Sequence, residues 1–530
     1  MADARVRGQG RPWLGRRELL KGAAALGAVP ALAGIPGRAA AQAAGAPRPG
    51  GTSVWAAETD PVALNPITNS NFSSTQGFEH CYESLTAFDA KLQIVPALAE
   101  RWETPNPTTY VFHLRRGVRF HDGSEFTAED VKYTFDIVLD PKGPAVWRGN
   151  FDQVDRVDVV DRHTVRFVTR APFPPLLGAL AILRSSAIVP KGAMEKLKLE
   201  TQVVGTGPYR LVEYVPKSHL KLRKNPDYWG RPLPYLDEVT FRILEEEDAR
   251  VAGLRGGSLD YAFLTPEGVQ RLRGERRIVV TSRPRTYLYA FVINRQRKPW
   301  TDPRARQALS LATDRQEIVE KVFSGGAAVA GPIPFGFGDW YLSAEELARW
   351  YKPDPARARA LLREAGVPEG HPIDLLVTPF NQNFPGLAVV FADQLKRIGL
   401  NAKIRQVEQG VFLKEVAPPT FNYDIQANAY TARHDPDGYV YNGFHSQTRN
   451  AAGYANPRVD ELLTRARTTI DHGQRKALYR ELQQLLLDDA PNVWLCNDNV
   501  TEGLQSYVRG YEQSPFTYRA WGLKHAWLDR

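Results

Sequence analysis

"FHLRRGVRFHDGSEFTAEDVKYTFD", Phe112 to Asp136, holds two different regularities side by side. Its start completes "TYVFHL" (Thr109–Leu114), where apolar and polar side chains alternate as in a half-buried strand. Its end places Val131, Thr134, Phe135 and Val138 at helical spacing behind Thr127-Ala128-Glu129-Asp130, which has the form of a capping box. A strand that gives way to a capped helix predicts a chain mixing both.

The pattern repeats outward. "HTVRFV" (His163–Val168), "HLKLRK" (His219–Lys224) and "EVTFRIL" (Glu238–Leu244) also alternate, whereas "YLYAFVIN" (Tyr287–Asn294), "IDLLV" (Ile373–Val377) and "NVWLC" (Asn492–Cys496) read as buried strands. Asp302-Pro303, Asp354-Pro355 and Asn456-Pro457 each set a capping side chain before a proline, and each opens an amphipathic run. Leu309, Ile318, Val319 and Phe323 belong to the first run, Ala358, Leu361, Leu362 and Ala365 to the second, and Val459, Leu462, Leu463 and Ala466 to the third. Gly366 has the place of a helix-ending glycine. Strands and helices interleave throughout, so the fold class is mixed α/β (α+β) with more than one sheet. Prolines and glycines are spread along the chain, which favours lobes that the chain crosses repeatedly.

The beginning of the chain reads as an address. Gly15-Arg16-Arg17-Glu18-Leu19-Leu20-Lys21, the short apolar run Gly22–Ile35 and Ala41-Gln42-Ala43 form a basic start, an apolar core and a small-x-small cleavage site. The paired arginines resemble a twin-arginine signal, although Gly15 and Leu19 stand where Ser/Thr and Phe are usual; an ordinary secretory signal is the alternative. Residues 1–43 carry seven Lys/Arg and two acids, so without them the formal charge falls from +9 to +4. No basic block marks a nucleic-acid surface. Cys81 and Cys496 are the only cysteines, too few for a disulfide scaffold or a four-cysteine metal site, and they either pair or stay separate.

The densest chemistry lies in "NAYTARHDPDGYVYNGFHS" (Asn428–Ser446). As a calcium loop it fails in register: with Gly438 at the sixth position, Arg433 and Phe444 fall where carboxylates are needed. His434 and His445 lack a metal-ligand spacing. Asp435 and Asp437 are close enough for acid/base work, yet Asp-Pro commonly starts a turn, and no nucleophile motif accompanies them. Gly205-Thr206-Gly207-Pro208-Tyr209 lacks the Lys-Ser/Thr of a phosphate loop.

Ten blocks together resemble the family 5 extracellular solute-binding proteins of ABC importers, the peptide/nickel/opine class. In order they are "LNPI" (Leu64–Ile67), "YESLTAFD" (Tyr82–Asp89), "PALAERWE" (Pro96–Glu103), the stretch quoted first, "GTGPYRLVEY" (Gly205–Tyr214), "NPDYWG" (Asn225–Gly230), "DPRARQALSLATDRQEIVEKVFSGGA" (Asp302–Ala327), "DPARARALLREAG" (Asp354–Gly366), "YDIQANAYTARHDPDG" (Tyr423–Gly438) and "GYANPRVDELLTRA" (Gly453–Ala466). The resemblance implies a two-lobe clamshell. Lobe I would comprise residues 44–81, 205–285 and 495–530 with an extra subdomain at 82–204, and lobe II residues 286–494. It implies capture of a peptide-like or other small polar solute in the periplasm and delivery to an inner-membrane ABC permease, by a monomer without cofactor, catalysis or nucleic acid. A nickel-chelate binder of the same family, a periplasmic hydrolase and a chaperone-like binder are the competing readings.

In peptide binders of this family the segment matching "NAYTAR" commonly reads Gly-Trp-x-x-Asp, and that Asp pairs with the ligand's α-amino group. Here Tyr430 has the place of the Trp and Arg433 that of the Asp, while Asn428 falls where some relatives carry arginine. A cation at Arg433 favours a carboxylate or phosphate over an ammonium. The expected cleft residues are therefore Asn428, Tyr430, Arg433, His434 and Asp435, with Asn69, Asn71, Phe72, Trp147, Arg148, Asn383 and Phe384 at other cleft-lining segments of the family.

Overall fold

In the computed structural model the described residues are 46–61, 63–69, 72–334, 339–430, 435–448, 452–514 and 520–530. The export signal expected at 1–43 lies outside them.

The opening stretch folds as its two periods require. Thr109–Leu114 is a strand and Ala128–Leu139 a helix. The Asp130 carboxylate accepts the Thr127 N–H at 2.8 Å, which ties down the first turn. Strands Ala99–Asn106, Thr109–Leu114, Thr164–Thr169 and Val154–Asp161 form, in that order, an antiparallel sheet. The helix packs on it, with the Phe135 and Phe167 rings 4.8 Å apart.

Apart from two two-stranded pairs, Thr86–Phe88 with Ile94–Pro96 and Val508–Arg509 with Trp527–Leu528, the remaining strands form a larger mixed sheet. Its order is Leu400–Gln406, His371–Val377, Ile425–Tyr430, Ile278–Ile293, Asn492–Gln505, Tyr261–Phe263, Thr52–Ala57, Glu238–Ile243, His219–Lys224 and Tyr209–Val215, with Ala327–Val329 also on Asn492–Gln505. Two long strands run through its middle. Ile278–Pro284 pairs with Asn499–Gln505, the ladder breaks, and pairing resumes between Leu288–Val292 and Asn492–Asn497. At the break the Asn497 amide donates to the Arg285 and Tyr287 carbonyls, each at 3.1 Å, and Arg285 forms an ion pair with Asp498.

Packing divides at this break. Three hydrophobic clusters draw only on residues 287–496. Three others draw only on residues 54–278 and 504–528. Each cluster buries its own apolar surface, so the two halves are separately cored and joined by the long strands. The expected mixed class with more than one sheet is observed, but the main sheet is continuous because those two strands serve both halves.

Asp302, Asp354 and Asn456 cap the helices Pro303–Ala312, Pro355–Glu364 and Pro457–Thr468 as expected, but the first run breaks after Ala312, and Ile318, Val319 and Phe323 belong to a second helix, Arg315–Phe323, capped by Asp314. Gly366 follows the second of these at φ +70°. The cysteines do not pair. Both are free and buried, in separate halves, and burial pushes the Cys81 thiol up to about 12. The glycines of Gly205-Thr206-Gly207 serve close approach: a Cβ at Gly205 would meet the Cys81 carbonyl oxygen at 2.1 Å. The blocks that carry the resemblance converge here, since Glu83 accepts from Thr206, Tyr228 and Trp229.

Candidate functional site

Strand direction locates the site. His371–Val377 is parallel to both Leu400–Gln406 and Ile425–Tyr430, so their carboxyl ends share one edge. Leu288 lies opposite Tyr430, and Asn497 opposite Leu288, which brings the ladder break to that same edge. In the other half Thr52–Ala57 is parallel to Glu238–Ile243 and Tyr261–Phe263, and Phe263 lies opposite Glu502. Its carboxyl edge therefore also faces the crossing, near Asn499. Ligands of open α/β sheets sit outside the carboxyl ends of strands, where connections diverge. Here two such edges meet at Arg285–Tyr287 and Asn497–Asn499.

That edge is aromatic and amide-rich. The Asn381 amide donates to the Tyr287 hydroxyl at 3.1 Å, and Asn383 to the Tyr289 hydroxyl at 2.9 Å. The Tyr430 hydroxyl accepts at 2.9 Å from buried Asn492, which lies at the level of Gln426 and away from the edge, and the Tyr430 and Tyr439 rings meet edge-on at 4.9 Å. Burial raises the Tyr430 hydroxyl to about 12, so it stays a neutral donor and acceptor. Burial works against the charge on Arg285, but Asp498 outweighs it and keeps the guanidinium protonated. Phe380, directly after the carboxyl end of His371–Val377, is 72% exposed. The sequence reading passed over it although "TPFNQNFPG" contains it; an aromatic in the first residues beyond a buried strand's carboxyl end was the available signal.

The expected cleft residues fall into separate groups. Asn428 and Tyr430 stand on the last strand turns of Ile425–Tyr430. The Asn69 carbonyl accepts from the Trp147 indole at 3.2 Å, while its amide donates to the Ala63 carbonyl. Arg184 stacks on the Trp147 ring, 4.2 Å from its centroid. Arg148 is exposed and donates to the Leu139 carbonyl. Asn383 opens the helix Asn383–Lys396, and Phe384 packs into the core at 6% exposure. Asn71, Arg433, His434 and the side chain of Phe72 lie outside the described residues.

The aspartates of the chemical stretch are structural in their contacts. Asp435-Pro436, expected as the corner of a turn, instead caps the helix Pro436–Phe444, with the Asp437 N–H donating to Asp435 at 2.8 Å. It repeats the Asx-Pro device of the other three helices. Asp435 also binds the Arg475 guanidinium through both oxygens, at 2.6 Å each. Asp437 is buried, and both its oxygens lie 3.1 Å from Arg467 Nε. Burial raises the Asp437 carboxyl to about 6, against the pull of Arg467. Each carboxylate thus has its own arginine, from a helix that the local motif could not reveal. Among the described residues no group of three or more His, Cys, Asp or Glu is placed to hold a metal, and no helix is long and apolar enough to cross a membrane. A cavity of about 130 Å³ lies wholly in the first half, lined by Glu83, Tyr228, Trp229 and Lys524 among others, and is distinct from the edge just described.

The model of the bacterial extracellular solute-binding proteins, family 5 (middle), matches residues 93–451. The chain belongs to this family. The dipeptide-binding protein of Escherichia coli (strain K12) is 29% identical over 505 residues, covering 88% of this chain and 92% of that protein. The glutathione-binding protein GsiB of Pectobacterium atrosepticum is 27% identical, covering 88% and 93%. The structure is similar to that of the periplasmic binding protein DppA of Helicobacter pylori in complex with the peptide STSA, with TM-score 0.79, 26% identity and coverage of 91% and 99%. For a family 5 protein the separately cored halves are the two lobes of the solute-binding clamshell, and its function is solute binding for an ABC importer.

Proposed function

We propose that this family 5 protein captures short peptides between its lobes and hands them to a membrane permease, without turning them over. The observation that carries this reading is the meeting of two sheet edges at one strand crossing, where lobes hinged on the long strands would enclose a solute. The first lobe runs over about 46–284 and 498–530, with residues 82–204 as its subdomain; the second runs over about 288–497. This placement is supported by the packing of Leu495 and Cys496 with residues 289–493, so we set the boundary beyond residue 494, where the sequence reading expects it.

The dipeptide- and glutathione-binding relatives support the peptide class. The amide side chains and rings of Asn381, Tyr287 and Tyr430, with exposed Phe380, suit a peptide backbone and one apolar side chain. Arg433, between Tyr430 and Asp435 in the chain, favours a peptide that offers a carboxylate there. An export signal at 1–43 would deliver the protein to the periplasm, where its permease faces it.

The deciding experiment is to purify the protein from its host, denature it and identify the released small molecule by mass spectrometry. A peptide is the expected result. Release of a metal chelate and no peptide would overturn the peptide class, and Arg433→Asp with unchanged calorimetric affinity would remove Arg433 from the site.

A further inference from the structure

Away from the crossing strands, the two separately cored lobes meet at a side-chain ion pair. On the second lobe Arg467 belongs to the helix Pro457–Thr468 and is 7% exposed on its side chain. Asp437 holds its Nε, and the Tyr441 ring lies 3.8 Å from the guanidinium carbon. The guanidinium is thereby aimed before any partner arrives. Its Nη1 reaches Asp152 on the first lobe at 3.1 Å, and Phe173 of the same lobe lies 5.5 Å away. Asp152 follows the short helical turn Arg148–Phe151 and is 38% exposed on its side chain. One of its oxygens takes Arg467; the other is buried without a hydrogen bond among the described residues.

We infer that Asp152 and Arg467 form a strap that favours the closed clamshell, and so sets solute affinity without touching the solute. The inference rests on the reading of the protein as a closing solute binder. Two features suit a reversible strap. When the lobes part, Arg467 keeps Asp437, so no buried charge loses its last partner. Asp152, 38% exposed on its side chain, regains solvent for both oxygens, including the one buried without a hydrogen bond. The strap is therefore cheap to release and easy to re-form. An interaction made only in the closed state raises the affinity of any solute that requires closure, in proportion to its bias on that equilibrium.

The test uses the full protein and two variants, Asp152→Asn, which keeps the shape, and Asp152→Lys, which sets like charges together. Small-angle X-ray scattering without added solute is expected to give a larger radius of gyration for Asp152→Lys than for the wild type. Calorimetry with trialanine as probe is expected to show roughly three- to tenfold weaker binding for Asp152→Asn, within the range of ordinary allosteric couplings. Identical scattering for wild type and Asp152→Lys would overturn the strap, as would equal trialanine affinity for wild type and Asp152→Asn. If trialanine binds neither protein, the peptide reading suffers, and the scattering comparison still decides the strap.

Discussion

Phe380 and Phe384 stand four residues apart and face opposite fates. Phe384 is packed against Tyr289, while Phe380 is mostly in water. Phe384→Ala is expected to cost about 3–5 kcal/mol in denaturant unfolding, the usual range for a buried aromatic. Phe380→Ala should change stability by no more than about 0.5 kcal/mol yet weaken peptide binding in calorimetry. His121 gives a pH signature at the same scale. Burial holds its imidazole down to about 4 and so favours the neutral form, although the Gly207 carbonyl, 3.1 Å from Nε2, pulls the other way. A folded-state value below the unfolded one contributes stability above pH ~6.5 that is lost as pH falls toward 4. His121→Gln should flatten that acid limb by up to about 3 kcal/mol relative to wild type, read from urea midpoints between pH 7 and 4. Residue identity alone told little here: both phenylalanines sit in one short motif, and what separates them is the strand end between which and the helix start they divide.

Among elements, the strands and capped helices were readable because their causes are local. "TYVFHL" and "HLKLRK" became strands at the expected residues, and three Asx-Pro pairs opened helices. The fourth pair, Asp435-Pro436, reads as a corner because Asp-Pro starts turns as readily as helices, and no clear apolar run at helical spacing follows it. "YLYAFVIN" reads as a strand from Tyr287, and the structure extends it back to Ile278, since the polar, partly exposed residues 281–286, with Pro284 among them, separate that run from Ile278-Val279-Val280. The two kinds of cap lead to a quantitative contrast. Asn456→Ala should cost about 1 kcal/mol, a lost cap. Asp435→Ala should cost about 3–5 kcal/mol, because it also leaves the buried Arg475 guanidinium unpaired. Chemical denaturation of both variants checks the gap, and equal losses would mean that the ion pair contributes nothing.

At the scale of the whole molecule, the clamshell was reached only through the ordered family blocks. No local pattern states that residues near 55 and near 525 share a core, or that Arg467 lies against Asp152. The candidate cleft was still less readable, since its walls come from loops beyond strand ends whose neighbours are set by topology. Closure on a solute carries a thermodynamic mark: a peptide at a hundredfold excess over its Kd should stabilise the folded state by about 2.7 kcal/mol, seen as a rise in Tm that grows with peptide concentration.

The segregated cores also impose an order on biosynthesis. The second lobe's clusters are complete once residue 496 has been made, from one continuous run of chain. The first lobe's main cluster needs Leu504, Val508, Leu523, Ala526 and Leu528, which emerge after the whole second lobe although Trp55 of the same cluster is made before it. A ribosome stalled soon after residue 496 has emerged would therefore present a folded second lobe beside an unfinished first one. Residues 504–528 act as the closing stitch, and a stop codon placed before them should give a half-folded, protease-sensitive protein.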